Sequence, residues 1–292
     1  MSLPAAFRPL LAGFSAASLV AVVLGAVICA MSGVLAGLWA RNLAAWGLGA
    51  LAALAMARWG GERLGSGLAL AAPLGLALTF LAPDLDGVHR WLVAGPLRFN
   101  AAMLLLPALV VATAILARRH PGWWAPAFVA LALLALQPDA SQASALAIAV
   151  CVIAAGLRSR PWAERSAAAI AALVLAALSW TRPDPLQPVP EVEEVIQLAA
   201  SLSPVLAGLA VVCLIAVAAA PSLAVFGRRS DAPLAGLALT ALLAGWTLAP
   251  ALGAFPVPLV GMGLSPILGA WIGVGLLASL TRWRSPGNGL RR

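Results

Sequence analysis

Long apolar runs separated by short polar segments dominate the chain. A helix that crosses a bilayer needs about 20 mainly apolar residues, and backbone groups in lipid must be hydrogen-bonded within their own segment. Each long apolar run is therefore predicted to be a membrane helix, and the second, fifth and seventh are short for a span. The ten predicted helices cover 11–36, 42–57, 64–81, 99–117, 124–136, 141–157, 166–180, 203–225, 234–254 and 263–281.

The composition supports a membrane protein rather than a soluble one. Of the 292 residues, 63% are hydrophobic and only 10% are charged, whereas a soluble surface needs roughly a quarter of charged residues. We therefore predict an all-α integral membrane protein, a polytopic bundle of about ten transmembrane helices in which residues 1–292 form one domain.

Cys29, Cys151 and Cys213 lie singly in apolar runs, which is typical of packing residues and not of a metal site.

The arginines orient the bundle. Cytoplasmic loops of membrane proteins collect basic residues, and all 18 basic residues here are arginine. If the chain starts in the cytoplasm, 14 of the 18 arginines fall inside and seven of the ten acids outside. This distribution predicts that both termini are cytoplasmic and that 282–292 form a cytoplasmic tail. The arginines are scattered and form no basic face, so no nucleic acid partner is expected.

Candidate chemistry concentrates in three outer segments. The first large outer loop, 82–98, holds two acids, a histidine and the pair Arg90 and Arg98. It could be a solvated loop anchored by Trp91, or a site where the two arginines bind an anionic headgroup. The second segment is the turn around Asp139, which is most simply the N-cap of the following helix.

The third segment, 181–202, is a proline-rich outer loop that carries acidic residues. Glu191, Glu193 and Glu194 open its helical part, where the positive end of the helix dipole favours acids. One of them could instead be a general base that takes a proton from a sugar hydroxyl. The chain has no P-loop, H-E-x-x-H or G-x-S-x-G motif, which argues against a nucleotide-driven or metal-hydrolase mechanism.

Three segments resemble the SEDS family, the FtsW/RodA-like proteins of shape, elongation, division and sporulation. Residues 87–99 are similar to the family stretch Gly-Ala-Arg-Arg-Trp-Ile-x-Leu-Gly-Pro, and Gln137-Pro138-Asp139 to Gln-Pro-Asp-Leu-Gly-Thr-Ala. Residues 257–268 are similar to Leu-Pro-Phe-Val-Ser-Tyr-Gly-Gly-Ser-Ser-Leu-Leu, with Ser265 at one of the serines. The family also has ten membrane helices.

The resemblance implies a peptidoglycan glycosyltransferase of the bacterial cytoplasmic (inner) membrane. Such an enzyme polymerises lipid II in cell division or cell-shape maintenance, together with a class B penicillin-binding protein. Glu194 falls at the acidic residue of the family, with Glu193 beside it, so these two are the expected catalytic residues. No resident cofactor is expected, although a divalent cation could assist. The expected substrate-binding residues are Arg90, Arg98, Trp91, Asp139, Gln137 and Ser265.

Two alternatives stay open. The protein could be a catalytically inactive scaffold that binds a penicillin-binding protein, which the acidic outer loop favours because it is much shorter than the family's. It could also be a transporter or flippase of a lipid-linked sugar, which would need polar residues along the core of the bundle, where the sequence has few. Membrane lipid is a partner in every case.

Overall fold

The computed structural model describes residues 8–226 and 232–280. Apart from one small antiparallel hairpin and an isolated β-bridge, the regular secondary structure in this part of the chain is helical, so the predicted class, a polytopic all-α membrane protein, is confirmed. The predicted tail 282–292 lies outside the described residues. The elements are α1 (Arg8–Met31), α2 (Ala36–Trp59), α3 (Glu62–Leu78), β1 (Trp91–Ala94), β2 (Leu97–Asn100), α4 (Ala101–Leu116), α5 (Ala125–Leu136), α6 (Ala140–Gly156), α7 (Trp162–Trp180), α8 (Pro190–Glu193), α9 (Val195–Leu202), α10 (Pro204–Ala219), α11 (Ala232–Leu248) and α12 (Leu264–Ser279).

Each of the ten predicted membrane helices coincides with a helix of the structure, but only some have the length of a full span. The shorter helices are α4, α5, α6 and α12. Nearly every residue of α4 and α12 is buried, so these two are shielded from lipid by neighbouring helices. The six segments long and apolar enough to cross a membrane are Arg8–Met31, Ala36–Trp59, Glu62–Leu81, Trp162–Trp180, Pro204–Phe226 and Ala232–Ala251.

The helix α12 lies at the centre of the bundle because glycines allow neighbouring backbones to approach it. A Cβ atom at Gly269 would overlap the carbonyl oxygen of Met103 in α4, and one at Gly275 would lie 2.6 Å from the Cα of Ala53 in α2. Small residues at such contacts are the usual means of close helix packing in membranes. On the periphery, α7 buries only a narrow stripe of small residues, and its exposed apolar side chains suit contact with lipid.

Two outer segments contain structure that the apolar pattern did not predict. In the loop 82–98, Asp86 and Gly87 both have positive φ, 48° and 79°, which is the geometry of the tight turns that Asp-Gly sequences favour. The strands β1 and β2 follow, with Trp91 opposite Asn100. In 181–202 lie α8 and α9, and the chain bends before α10 because Pro204 has no N–H to continue the helical ladder.

Arginines cap the C-terminal ends of α4 and α6. The Nε of Arg160 donates to the carbonyl oxygen of Ala117 at 2.8 Å, and the Nε of Arg165 donates to that of Ala154 at 2.6 Å. Cations near a helix C-terminus are favoured by the exposed carbonyls and the dipole. These arginines therefore hold the predicted cytoplasmic end together, and the N-termini of α4 and α6 point to the other end.

Candidate functional site: an outer cleft

The three outer segments meet in one cleft of about 270 Å³ at the N-terminal ends of α4, α6 and α12. The hairpin, the linker between α7 and α8, α8 itself and the segment before α12 form its walls. Two of the predicted site residues, Gln137 and Glu194, do not line it. Those that do are Arg90, Trp91, Arg98, Asp139, Glu193 and Ser265.

Arg90 lies at the base of the cleft and is already paired. Its Nη2 is 2.8 Å from a carboxylate oxygen of Asp184, and its Nε is 3.7 Å from one of Asp139. The guanidinium also donates to the carbonyl oxygens of Gln137 and Pro138. Arg90 therefore joins the hairpin, the start of α6 and the proline-rich linker, and its charge is neutralised without a ligand.

Asp139 and Gln137 have structural partners. The Oδ1 of Asp139 accepts hydrogen bonds from the N–H of Gln142 at 3.4 Å and from the hydroxyl of Ser141 at 3.1 Å, so the N-cap interpretation is confirmed. The amide of Gln137 is buried and donates to the carbonyl of Leu76 and to the hydroxyl of Thr79. It ties α5 to the end of α3, and its predicted role in substrate binding stays a prediction.

Glu193 is the glutamate of α8 that faces the cleft. Its Oε2 accepts a hydrogen bond from the N–H of Val189 at 2.8 Å. Burial raises the pKa of this carboxyl above its ordinary value, and the nearby Asp184 raises it further; hydrogen bonds from the backbone and the charge of Arg90 oppose the rise only in part. A half-buried carboxyl with a raised pKa in a cleft is the pattern expected of a general base. The neighbouring Glu194 is exposed.

Arg98 is the available cation at the mouth of the cleft. Its side chain lies on β2 and is exposed, and it forms no ion pair within residues 8–226 and 232–280. Next to it, Asn100 caps α4 by accepting from the N–H of Met103 at 2.9 Å. The backbone N–H of Asn100 donates to the hydroxyl of Ser265 at 2.8 Å, so Ser265 fastens the start of α12 to the hairpin.

Two arginines, Arg90 and Arg98, and three carboxylates, those of Asp139, Asp184 and Glu193, line the cleft, and helix ends add positive potential to it. The N-termini of α4, α6 and α12 converge there, and each brings the positive end of a helix dipole. Side chains cap α4 and α6, whereas Gly263 provides no side-chain cap for α12. Within the described ranges no group of three or more His, Cys, Asp or Glu side chains could hold a metal ion, and the divalent cation stays a prediction.

Sequence reasoning missed Asn42. This buried amide lies in α2, and its Nδ2 donates to the carbonyl oxygen of Gly261 at 3.0 Å while its Oδ1 accepts from the N–H of Gly263 at 3.2 Å. It thereby holds the turn that leads into α12 at the edge of the cleft. A carboxamide in an apolar run was the available signal, since polar groups in membrane helices usually have a specific role.

Comparisons with known proteins agree on the architecture. No family model matches the sequence, and no curated protein is similar enough to match. Among solved structures, the rod shape determining protein RodA of Thermus thermophilus is similar at a TM-score of 0.66 and 22% identity, over 92% of this chain and 96% of that one. A single-substitution variant of the same RodA gives a TM-score of 0.67 at 22% identity with the same coverage.

A third similar chain belongs to a peptidoglycan synthase complex whose structure concerns the coordination of polymerization and crosslinking. It has a TM-score of 0.68 at 23% identity and covers 92% of this chain and 97% of that one. The likeness extends over almost the full length of both proteins. The resemblance seen in three short segments is thus confirmed for the whole architecture, and the chain has the fold of RodA.

Proposed function

We propose that the protein is a SEDS-type membrane protein of bacterial cell-wall synthesis, and that it polymerises lipid II as a peptidoglycan glycosyltransferase. The RodA fold supports the family. The observation that carries the activity is the position of Glu193, a half-buried carboxyl with a raised pKa in a cleft at the outer end of the bundle. This end is opposite the arginine-capped end and therefore faces outward in the predicted orientation.

The proposed reaction is a displacement at the anomeric carbon of the donor sugar. The carboxylate of Glu193 accepts the proton of the acceptor hydroxyl, and the hydroxyl oxygen forms the new bond to the anomeric carbon. The bond from that carbon to the pyrophosphate oxygen breaks, and undecaprenyl pyrophosphate leaves with the electron pair. General base catalysis of this kind contributes about 10²–10⁴-fold to the rate.

Arg98 and the helix N-termini are proposed to bind the pyrophosphate. A guanidinium without a carboxylate partner can form two charge-assisted hydrogen bonds with a phosphate group, and the converging dipoles add to the attraction. Arg90 has a different role in this scheme, because its contacts to Asp139 and Asp184 shape the floor of the cleft. A divalent cation could assist by neutralising part of the pyrophosphate charge.

The proposed setting is the bacterial inner membrane, with a class B penicillin-binding protein as partner. The similar chain from a complex that couples polymerization to crosslinking supports such a partner. In this scheme the partner supplies the crosslinking activity.

A comparison of two adjacent glutamates tests the activity. The purified protein in lipid nanodiscs, alone and with its partner, is expected to polymerise lipid II, and Glu193→Gln is expected to lower the rate by about 10²–10⁴-fold. Glu194→Gln is the matched control: it removes a neighbouring carboxylate that does not line the cleft, and it should retain the wild-type rate. The opposite order of the two variants would contradict the assignment of Glu193.

A non-catalytic scaffold is the second candidate, and the state of Arg90 favours it. The cation that the family resemblance places on the donor pyrophosphate is bound to Asp139 and Asp184 instead. A scaffold would support growth with both Glu193→Gln and Glu194→Gln, and its purified form would bind the penicillin-binding protein without consuming lipid II. Loss of growth with Glu193→Gln alone would exclude this candidate.

A further inference from the structure

Asn42 is buried in α2 with both amide functions bonded to a distant part of the chain. The residue is 4% exposed, and its two hydrogen bonds reach Gly261 and Gly263 across more than 200 positions of sequence. A carboxamide is costly to bury without partners, so both hydrogen bonds oppose movement of the turn away from α2. The side chain therefore fixes the turn 257–263 to α2.

The turn 257–263 is in turn bonded to α8. The N–H of Val257 donates to the carbonyl oxygen of Val192 at 3.0 Å, and the N–H of Met262 donates to that of Glu191 at 2.8 Å. These two carbonyls belong to the two residues that immediately precede Glu193 in the chain. The position of the carboxyl group in the cleft thus depends on a chain of hydrogen bonds that begins in the middle of the bundle.

The fit of the turn leaves it little room to move. A Cβ atom at Gly261 would lie 2.6 Å from the carbonyl oxygens of both Val192 and Val257, and a Cβ at Gly25 of α1 would overlap the carbonyl of Val260. The turn is therefore confined between α1 and α2 on one side and α8 on the other. A shift of the turn would therefore displace α8, because the turn is packed closely against both α1 and α8.

We propose that Asn42 is a positioning residue that holds Glu193 at its place in the cleft through the turn 257–263. The effect of Asn42 on turnover, its kinetic part, rests on the proposed glycosyltransferase function, whereas its hold on α8, the structural part, does not. A displacement of about 1 Å at a reacting group can lower a rate by about 10²-fold. Loss of the amide should therefore act on turnover at a distance, without contact to substrate.

Hydrogen exchange tests the structural part without any substrate. In Asn42→Ala, the amides of Val257 and Met262 should lose protection, whereas those of α4 and α6 should stay as in the wild type. Ser18→Ala is the matched control, since Ser18 accepts a hydrogen bond from Trp46 at 2.9 Å and joins α1 to α2 without bonding to the turn. It should leave the protection of Val257 and Met262 unchanged. Gly261→Ala should reproduce the pattern of Asn42→Ala by a different route.

Lipid II polymerisation tests the kinetic part. Asn42→Ala should lower kcat by about 10–100-fold with KM within about twofold. The pH profile of Asn42→Ala should also change. As α8 loosens, Glu193 becomes more exposed to water. It also moves away from Asp184, which raises the pKa of Glu193, and from Arg90, which lowers that pKa. Because burial is the largest cause of the raised pKa, the acidic limb of the profile should move to lower pH. Ser18→Ala should keep both kcat and the pH profile.

The outcomes separate this proposal from the proposed function. Unchanged protection of Val257 and Met262 in Asn42→Ala overturns the positioning role, whatever the activity. Slower turnover with an unaltered pH profile also overturns the positioning role. A general loss of stability would explain that result, since it lowers the rate without moving the acidic limb of the profile. If the wild type does not polymerise lipid II, the glycosyltransferase function fails, while altered exchange at the two amides still supports Asn42 as the residue that holds α8.

Discussion

Removal of the Arg90 side chain should destabilise the outer end of the bundle more than any other single loss of charge in the cleft. In Arg90→Ala, Asp139 is left 3% exposed without the cation that lies 3.7 Å away, and the carbonyl oxygens of Gln137 and Pro138 lose a donor. At an effective dielectric constant of about 20, a charge pair at this distance attracts by about 4.5 kcal/mol. Breaking buried pairs from one side costs about 3–5 kcal/mol, and we expect a loss in that range.

Two related variants should be more stable than Arg90→Ala. Asp184→Ala should cost only about 1 kcal/mol, because the side chain of Asp184 is 28% exposed and screened by water, and Arg90 keeps its other partners. Adding Asp139→Asn to Arg90→Ala should recover about 1–3 kcal/mol, since the asparagine removes the unpaired charge while its side-chain oxygen still caps α6.

Reversible unfolding in mixed micelles measures these differences. Arg98→Ala is the control, because Arg98 is an exposed arginine of the same hairpin without an ion pair in the described part of the chain, and it should stay within about 0.5 kcal/mol of the wild type. A loss below 1 kcal/mol for Arg90→Ala, or a double variant no more stable than the single one, would refute the argument. Arg90 would then be free to serve a ligand.

Two further predictions concern titration and packing. Because burial raises the pKa of Glu193, its carboxylate form appears only at higher pH than for an ordinary glutamate. The value of kcat/KM should therefore rise with pH through this raised pKa. An acidic limb of the pH profile at the ordinary glutamate value would contradict Glu193 as the general base. The same shift means that the contribution of Glu193 to stability is fully present below the unfolded pKa and is lost as pH rises through the folded one. Gly269→Ala should destabilise the protein by about 1–3 kcal/mol in the same unfolding assay, since its Cβ would overlap Met103, whereas Gly208→Ala, with nothing within 4 Å, should not.

The helices were predictable because a bilayer imposes a simple rule on the backbone. Every apolar run became a helix, and even the short runs did so, since lipid and protein interior alike require bonded N–H and C=O groups. The ends were less predictable: α2 begins at Ala36 and includes Arg41, although the charge suggested a loop. An arginine near the end of a membrane helix can extend its long side chain to the interface.

The cleft was only partly predictable. Three short segments resembled one family, and they do meet at the same end of the bundle, because each lies at an outer helix end. The choice between Glu193 and Glu194 was beyond alignment by spacing, since the single turn of α8 ends at Glu193 and adjacent residues point in different directions. The pairing of Arg90 with Asp184 likewise joins two loops whose relative position no local pattern encodes.

Patterns along the chain established the membrane class, the approximate helix positions and the end of the bundle where acids gather, because hydrophobicity and charge act on each segment independently of its neighbours. Contacts between distant segments selected the groups that face the cleft. Asn42 shows the difference most clearly. An asparagine in an apolar run indicated a buried polar contact, but its partners, Gly261 and Gly263, lie more than 200 residues away. Those partners follow from the packing of α12 against α2, and packing depends on the shapes of both helices at once.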